Sequence, residues 1–468
     1  MRKYERLFFC GINDLNDELR EMIRENDWGG LILYPNVIQD TYKLTEFFNI
    51  IESNGKKCLI SSDHEGGQIE TIPFIPPFPG NMALGKTRPE YARKYAYLSG
   101  NIMKSIGFNT VFAPVLDLYT PKNSAVVGFR TLGGEPVKVA KYSNEMLKGY
   151  KDAGILACVK HFPGHGKAFT DSHEMDVIID ASPEALKSED FVPFKLAIES
   201  GVELIMTAHV IYSSIDTLPA TLSKKVINDI LKNEFEYDGV VLTDAIEMKA
   251  ISEKFSPKEI LEKFFNAGGD MILLSNGVKN FPIFYKALEE LLNEGRIDEN
   301  KLENSVVKIK KLIDRYYHKQ SVGFINSTVE ESIEVNFDNV KPALNVILLI
   351  PQPQKMSQAD ILSDHYIKIE RLARKILGAK IFRYDMKKPK KVDLPGDALI
   401  IDIIVDTFKN ENLLKFHKSL PQNTIYVISH DPYDKKFFED RNYAITYSMT
   451  PVSITAIFKR VKEFLSGF

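Results

Sequence analysis

The chain has 468 residues, which is enough for one large domain and a smaller second one. Hydrophobic residues make up 44% of it and charged residues 26%, a balance that is ordinary for a soluble globular protein. The net charge of −3 offers no bulk attraction to nucleic acid or to an anionic membrane, so we expect neither as a partner. No apolar stretch of the sequence approaches the length of a membrane-spanning helix.

The N-terminal segment and the cysteines bear on where the protein acts. The apolar run Leu7–Ile12 follows basic residues, but it is too short for a signal peptide. Cys10, Cys58 and Cys158 each lie in an apolar, strand-like run, so we expect buried thiols rather than disulfide bonds. These features favour a cytoplasmic location, and they leave the oligomeric state open.

Short apolar runs alternate with amphipathic helical segments from the N-terminus to about residue 275. The eight runs are Leu7–Ile12, Gly30–Leu33, Cys58–Ser61, Thr110–Pro114, Ile155–Val159, Leu204–Thr207, Val240–Leu242 and Met271–Leu274. The helical segments between them are Asp17–Arg24, Thr41–Ile51, Pro89–Ser105, Pro136–Lys151, Pro183–Ser200, Lys224–Lys232 and Pro257–Asn266. This alternation predicts a closed (β/α)8 barrel of the TIM type, with a doubly wound open sheet as the alternative. A helix from about Asp298 to Tyr317 would complete the barrel domain.

A second α/β pattern follows a segment without clear periodicity. That segment, 321–342, carries Gly, Asn, Ser and several acids, and we predict a linker there. Beyond it, the predicted strands are Val346–Ile350, Lys380–Arg383, Ala398–Val405 and Thr424–Ser429, and the predicted helices are Ala359–Leu377 and Ser453–Phe464. The predicted organisation is therefore a barrel over 1–320, a linker over 321–342 and a smaller three-layer α/β domain over 343–468.

The stretch 154–175 concentrates side chains that are rarely placed together without a function. Lys160 and His161 directly follow a predicted buried strand, and a loop rich in glycine and proline then leads to Asp171 and His173. Because Asp171 and His173 are two positions apart, the carboxylate can orient the imidazole and set its basicity. An isolated Asp-x-His is usually solvated surface, but a strand-end Lys-His followed by such a loop favours a functional site.

Polar residues also follow five successive predicted strands at the same end. They are Asp63, Asp117, Lys160 with His161, His209 and Asp244, after the third to seventh strands. In a (β/α)8 barrel these strand ends meet at one mouth, where active sites are built. Arg130 lies on the loop after the fourth strand and could reach the same mouth; alternatively it forms a salt bridge that closes its own loop.

At these residues the sequence resembles glycoside hydrolase family 3, and within it the β-N-acetylglucosaminidases. The resemblance runs from about residue 20 to residue 275. It is carried by Asp63-x-Glu65-Gly66-Gly67, Lys160-His161-Phe162-Pro163-Gly164-His165-Gly166 with Asp171-Ser172-His173, Ala208-His209-Val210, Pro219-Ala220-Thr221-Leu222-Ser223, and Gly239-Val240-Val241 leading to Asp244. The Lys-His-Phe-Pro-Gly-His-Gly element followed by Asp-Ser-His is highly specific.

The resemblance implies a retaining exo-glycosidase that releases terminal N-acetylglucosamine from a small carbohydrate. We expect no cofactor, and no metal because the sequence lacks a recognisable ligand spacing. It places the nucleophile at Asp244 and the general acid/base at His173, with Asp171 as the partner that orients the histidine. A histidine suits the acid role because its pKa lies near neutrality. Neutral His173 would not repel an anion that approaches the glycosyl-enzyme, and Lys160 and Arg130 would add positive potential nearby. Phosphorolysis, which gives a sugar 1-phosphate, is therefore predicted as a side activity.

The substrate contacts follow from the same resemblance. It assigns the sugar-hydroxyl ligand to Asp63 and further sugar contacts to Arg130, Lys160 and His161. His209 is predicted to belong to the same substrate-binding set. The sequence departs from the family at Thr71, where many members carry an arginine, so one contact to the terminal sugar is in doubt.

Other functions fit parts of the same pattern. A β-glucosidase of the same family is the nearest alternative, although that branch usually takes its acid/base Glu from the second domain and lacks the Asp-Ser-His loop. A metal-dependent barrel hydrolase could draw ligands from His64, His161, His165, His173, His209, Asp171 and Asp244, but the sequence shows no recognisable zinc spacing. A non-catalytic sugar-binding module would need neither the dyad nor Asp244. The aglycone, a muropeptide fragment or a chitin oligomer, and the role of the C-terminal domain are left open.

Overall fold

The computed structural model describes residues 3–120, 127–166, 177–318, 322, 328, 331–352, 362–390, 392, 394–395, 397–405, 407, 410–429, 432–446 and 451–467. The chain forms two compact units, Met1–Gly323 and Phe324–Phe468. Each unit has its own buried apolar core.

Eight parallel strands of the first unit form a barrel. They are β1 (Phe8–Ile12), β2 (Gly30–Leu33), β3 (Leu59–Ser61), β4 (Thr110–Val111), β5 (Leu156–Phe162), β6 (Leu204–Thr207), β7 (Val240–Ala245) and β8 (Met271–Leu274). Their spatial order is β3–β2–β1–β8–β7–β6–β5–β4. Between β3 and β4, the N–H groups of Asn109 and Phe112 donate to the carbonyls of Ile60 (3.1 Å) and Ser62 (3.2 Å). The predicted TIM-type barrel is thereby confirmed, and each of the eight predicted runs overlaps one of these strands, with β5 and β7 extending three residues beyond theirs.

Helices connect the barrel strands, as the periodicity predicts. The longer ones are α1 (Asp17–Glu25), α2 (Thr41–Ser53), α3 (Pro89–Ile106), α4 (Pro136–Ala153), α5 (Phe191–Glu199), a π-helical segment (Lys225–Glu234), α6 (Pro257–Ala267), α7 (Gly277–Asn293) and α8 (Glu299–Tyr316). Short helices are Pro35–Ile38, Asn81–Leu84, Pro183–Ser188 and Lys249–Ser252. The predicted helix Pro183–Ser200 is thus two helices, while α8 is the predicted closing helix, with the Asp298 side chain capping its first turn.

The helices α3 and α4 pack closely because glycines face the partner helix. A Cβ atom at Gly149 would lie 2.3 Å from the carbonyl oxygen of Arg93, and one at Gly100 would lie 2.7 Å from Cβ of Ala153. Any larger side chain would push the helices apart. Since α3 leads into β4 and α4 leads into β5, this packing helps to set the positions of two strands whose ends carry polar residues.

The barrel core is aromatic and aliphatic. The rings of Phe9 and Phe112 meet inside it, with their centroids 5.1 Å apart. Cys10, Cys58 and Cys158 are buried free thiols, as expected. Burial raises the pKa of the Cys58 thiol to about 12, so this group stays protonated and unreactive at neutral pH.

The second unit is a three-layer α/β domain, as predicted. Its strands are β9 (Glu334–Asn336), β10 (Val346–Pro351), β11 (Lys380–Tyr384), β12 (Leu399–Ile404), β13 (Thr424–Ile428) and β14 (Asn442–Ile445), in the spatial order β9–β14–β13–β12–β10–β11. All pairs are parallel except β9 with β14. The helices are α9 (Leu362–Leu377), α10 (Glu411–Lys418) and α11 (Pro451–Ser466). Alternate residues of the central strands enter two separate apolar clusters, one on each face of the sheet.

The described part of this unit includes β9, β14, α10 and a short 3-10 helix, Pro432–Phe437, which the sequence-based prediction lacks. The strand β9 lies within segment 321–342, which was expected to be a linker. The division at residues 320 and 343 stays a prediction. Among the described residues, none of the helices combines the length and the apolar character that crossing a membrane requires.

Candidate active site

The carboxyl ends of the barrel strands surround a cavity of about 500 Å³. Its lining comprises Ile32, Tyr34, Asp63, Glu65, Ile69, Phe112, Arg130, Lys160, His161, Met206, Asp244, Ala245, Glu247, Met248, Lys249, Leu273 and Ser275. Five residues predicted from the sequence, Asp63, Arg130, Lys160, His161 and Asp244, therefore lie around one cavity, at the mouth where the barrel hypothesis expects them.

A cluster of four charged side chains forms one part of the cavity lining. Nζ of Lys160 lies 2.7 Å from Oδ1 of Asp63 and 2.6 Å from Oε1 of Glu65. Arg130 donates from Nε and Nη2 to the two oxygens of Glu65, at 2.9 Å and 2.8 Å. Arg130 thus reaches the mouth and lines the cavity, and its salt bridge joins it to Glu65 on the loop after β3 rather than closing its own loop.

Glu65 is the centre of this cluster, and its side chain is only 1% exposed. Burial favours the neutral acid, but Lys160 and Arg130 outweigh this effect and hold the pKa of Glu65 well below its ordinary value. Burial likewise opposes a charged Lys160, yet Asp63 and Glu65 raise the pKa of its ammonium group. Glu65 is therefore an anion held between two cations, and the cluster pairs two acidic with two basic side chains.

The loop that presents Asp63 and Glu65 has a backbone that only glycine adopts readily. Gly66 and Gly67 have φ angles of 92° and 66°. A Cβ atom on Gly67 would lie 2.7 Å from Cα of Gly80, so the loop packs directly against the neighbouring backbone. The Asp-x-Glu-Gly-Gly motif thus combines the two acidic side chains of the cluster with the turn that holds them in place.

Thr71, the departure from the family pattern, supports this loop from behind. Its hydroxyl donates to the backbone carbonyl of Asp63 at 2.8 Å and lies 2.7 Å from Oγ of Ser62. Thr71 is not part of the cavity lining. An uncharged side chain therefore holds the loop at this position and does not contact the cavity.

A buried carboxylate orients His161. Oδ2 of Asp117 accepts from Nδ1 of His161 at 2.7 Å, while Oδ1 accepts the N–H groups of His161 (3.2 Å) and His165 (2.7 Å). Burial would raise the pKa of Asp117, but His161 and His165 bring it below its ordinary value. With Nδ1 occupied, the Nε2 atom of His161 points towards Asp244, where it lies 3.9 Å from Oδ2.

Asp244 belongs to the end of β7 and has a side chain that is 23% exposed. Its Oδ1 accepts the N–H of Ala245 at 2.7 Å. Burial would raise the pKa of Asp244, but His161, His209 and the Ala245 N–H together lower it, and Lys160 contributes in the same direction. Asp244 is therefore an anion at neutral pH with one oxygen held by the backbone.

His209 lies behind the cavity lining rather than within it. Its Nδ1 lies 2.8 Å from Oγ1 of Thr221, and its Nε2 lies 3.0 Å from the carbonyl oxygen of Ala245. The residue is 2% exposed, and burial lowers its pKa. Its position suits support of the Asp244 strand end, while its predicted contact with substrate stays a prediction.

The predicted acid/base pair, Asp171 and His173, falls in the segment 167–176, outside the described residues. Both neighbours of this segment are described. Gly166 precedes it, with its carbonyl held by Oγ1 of Thr120 at 3.1 Å. Val177 follows it, with its carbonyl accepting the N–H of Ile211 at 2.9 Å.

Several residues of the site were not nominated from the sequence. Glu65 and Thr221 stand within the quoted motifs, so each carried a signal that could have been used. Asp117 was expected at the mouth as a strand-end residue, but its role as the partner of His161 was not predicted. Tyr34 and Glu247 carried none. Glu247 accepts the N–H groups of Ser275 and Asn276 (each 3.0 Å) and Nδ2 of Asn280 (2.8 Å), and so joins the loops after β7 and β8.

The metal-dependent alternative finds no ligand set within the described ranges, where no group of three or more histidine, cysteine or acidic side chains could hold a metal ion. His64 is turned away from the cavity, with Nδ1 accepting the N–H of Ile72 at 3.3 Å. Burial lowers the pKa of His64 to about 4, so its ring is neutral. Asp171 and His173, two of the candidate metal ligands named from the sequence, lie outside those ranges.

Two family models match the chain. The model described as "Glycosyl hydrolase family 3 N terminal domain" matches residues 3–312, and that described as "Beta-N-acetylglucosaminidase, C-terminal domain" matches residues 344–462. Among curated proteins, "Beta-hexosaminidase A" of Pseudoalteromonas piscicida is 31% identical over 352 residues, which cover 68% of this chain and 59% of that protein. The chain thus spans less than two thirds of the length of this relative.

Among the solved structures that are similar over nearly their whole length are two from Thermotoga. Zn-bound CbsA from Thermotoga neapolitana is 39% identical, with a TM-score of 0.91 and coverage of 99% of both chains. The beta-N-acetylglucosaminidase from Thermotoga maritima is 38% identical, with a TM-score of 0.89 and coverage of 98% of this chain and 100% of that one.

Proposed function

Because the chain belongs to glycosyl hydrolase family 3, we propose that it is a retaining, exo-acting β-N-acetylglucosaminidase that releases terminal N-acetylglucosamine. The observation that carries the proposal is the placement of ionised Asp244 on one cavity that it shares with the Asp63–Glu65–Arg130–Lys160 cluster. The C-terminal family model and the similar Thermotoga maritima enzyme support the choice of sugar.

Asp244 is the proposed nucleophile. Its lowered pKa keeps it anionic, and its second oxygen faces Nε2 of His161. An anion held this way can attack the anomeric carbon and form a covalent glycosyl-enzyme, which water then hydrolyses from the same face. Asp63 is the proposed partner of a sugar hydroxyl because its side chain is 33% exposed while Lys160 fixes one of its oxygens.

The general acid is proposed to be His173, oriented by Asp171. Most retaining enzymes use a second carboxyl group about 5–5.5 Å from the nucleophile. Of the described carboxyl groups that line the cavity, Glu65 is locked between two cations, Asp63 is paired with Lys160, and Glu247 accepts three hydrogen bonds. None is placed to give a proton to a leaving group, which favours a donor from the segment 167–176.

Phosphorolysis remains a proposed side activity on narrower grounds. From the sequence, a neutral His173 and positive potential from Lys160 and Arg130 would both favour the approach of phosphate. Since Asp63 and Glu65 balance those two cations, the argument now depends on the charge state of His173 alone. Product analysis in phosphate buffer and in a neutral organic buffer tests it, through the appearance of sugar 1-phosphate in the first only.

The proposed function is tested with aryl β-glycosides that differ only at C2. The N-acetylglucosaminide should be cleaved with a kcat/KM more than about 100-fold above that of the glucoside, because a site built around the acetamido group leaves polar atoms unpaired without it. Proton NMR of the first product should show the β-anomer. Equal kcat/KM values would favour a β-glucosidase, an α-anomer would exclude retention, and activity lost on chelation but restored by zinc would favour the metal-dependent alternative.

A further inference from the structure

The segment 167–176, which carries the proposed acid/base pair, leaves and re-enters the described part of the chain at two places. We call these the entry stem, Phe162–Gly166, and the exit stem, Val177–Ile179. The N–H of Gly164 in the entry stem donates to the carbonyl of His161 at 2.8 Å. The exit stem forms a short parallel ladder with Ile211–Tyr212.

Tyr212 contacts both stems. Its backbone lies opposite Ile179 in the ladder, and the next N–H, from Ser213, donates to the Ile179 carbonyl at 3.2 Å. Its hydroxyl donates to the carbonyl of Gly164. The residue is 1% exposed, so this hydrogen bond is shielded from water.

We propose that Tyr212 is a positioning residue for the reaction, because it fixes the spacing of the two stems between which the chain carries the proposed acid. This inference rests on the proposed function, since it takes His173 as the acid. A small misplacement of a catalytic group is costly, because proton transfer needs hydrogen-bonding distance to the leaving oxygen.

The surroundings of Gly164 make its carbonyl a suitable anchor. The φ angle of Gly164 is 128°, and a Cβ atom there would lie 3.0 Å from Cβ of Asp190. Its orientation therefore depends on a backbone that other residues adopt poorly. Burial raises the pKa of the Tyr212 hydroxyl well above its ordinary value, so the group stays a donor at every pH at which the enzyme could work.

The experiment compares Tyr212→Phe with Tyr237→Phe. Tyr237 is a matched control because it is also buried and its hydroxyl donates to a backbone carbonyl, that of Val240, at 3.0 Å. Val240 begins β7, at the opposite end of the strand from the cavity. His173→Ala is the reference for loss of the acid. Each protein is assayed on phenyl and 2,4-dinitrophenyl N-acetyl-β-glucosaminides, whose leaving groups need much and little acid assistance.

Tyr212→Phe should lower kcat/KM for the phenyl substrate about tenfold and that for the dinitrophenyl substrate less than about twofold, since general acid catalysis matters only for the poorer leaving group. Tyr237→Phe should change both by the same small factor. Equal losses on both substrates, a split no larger than in Tyr237→Phe, or failure of Tyr212→Phe to fold would each overturn the inference. An inactive wild-type enzyme, or a His173→Ala variant without the split, would instead count against the proposed function.

Discussion

Each unit of the protein contains a buried histidine whose Nδ1 atom is paired with a buried aspartate. In the barrel, His161 pairs with Asp117; in the second unit, His417 pairs with Asp402. In the first pair the histidine belongs to a strand, β5; in the second the aspartate does, in β12. Both aspartates are 0% exposed. By composition and burial the two pairs are nearly the same.

The pairs differ in what the second nitrogen of the ring faces. Nε2 of His161 faces Asp244 across the cavity lining. Nε2 of His417 has no hydrogen-bond partner among the residues that the structure describes, and it is buried beside the rings of Tyr384 and Phe416, whose centroids each lie 5.2 Å from that of His417. A buried His-Asp pair therefore does not by itself indicate a catalytic site. What the pair can act on depends on the group that the second ring nitrogen, Nε2, faces.

Removing the carboxylate that His161 faces should have the largest effect on activity. Asp244→Ala should lower kcat by more than about 10³-fold on every substrate, whatever its leaving group, since no glycosyl-enzyme can form. The covalent step can be checked on wild-type enzyme with a fluorinated N-acetylglucosaminyl inactivator and mass spectrometry of the peptides. Attachment to a peptide without Asp244 would show that the nucleophile has been misassigned.

A second test is to remove the aspartate from each pair in turn. Asp117→Asn should lower kcat/KM about 100-fold, because His161 loses the acceptor that fixes its ring. Asp402→Asn should leave kcat/KM within about twofold of wild type, and should lower the free energy of unfolding of the second unit by about 3 kcal/mol. Activity assays and urea unfolding followed by circular dichroism give both quantities. A large loss of activity in Asp402→Asn would mean that the second pair also serves the reaction.

The barrel was predictable because its strands are buried on both faces. Such strands are continuous apolar runs, as in Met271–Leu274. In the sequence these runs alternate with segments whose apolar residues recur at helical spacing. The missed strand β9, Glu334–Asn336, has one apolar side chain, and pairs at the edge of its sheet. Nothing in three such residues indicates a strand until the partner, β14, is known.

The site was predictable only to the extent that it follows from strand ends. Asp63, Lys160 and Asp244 each end or follow a strand, so the barrel hypothesis alone brings them to one mouth. The role of Glu65 could not be predicted, because it depends on Arg130, 65 positions away, converging with Lys160 on one carboxylate. The orientation of His209 depends likewise on Thr221, which turns its ring behind the cavity lining.

The smallest expected effect separates a buried charge cluster from a surface ion pair. Glu65→Gln removes the anion between Lys160 and Arg130 and should lower the free energy of unfolding by about 2 kcal/mol at pH 7. Its matched control is Glu411→Gln, which removes an exposed pair with Lys415 (2.8 Å, side chains 79% and 70% exposed) and should not shift the urea midpoint measurably.

The pH dependence of that difference follows from the lowered pKa of Glu65. A carboxyl whose pKa is lower in the folded than in the unfolded protein adds stability above its unfolded pKa, about 4.3 for Glu, and loses it as the pH falls towards the folded value. Glutamine cannot titrate, so the gap between wild type and Glu65→Gln should be constant from about pH 7 to 5.5 and shrink below about pH 4. Urea unfolding across this range measures it. A gap that widens as the pH falls would mean that Glu65 is protonated in the folded protein and that burial, rather than Lys160 and Arg130, sets its charge.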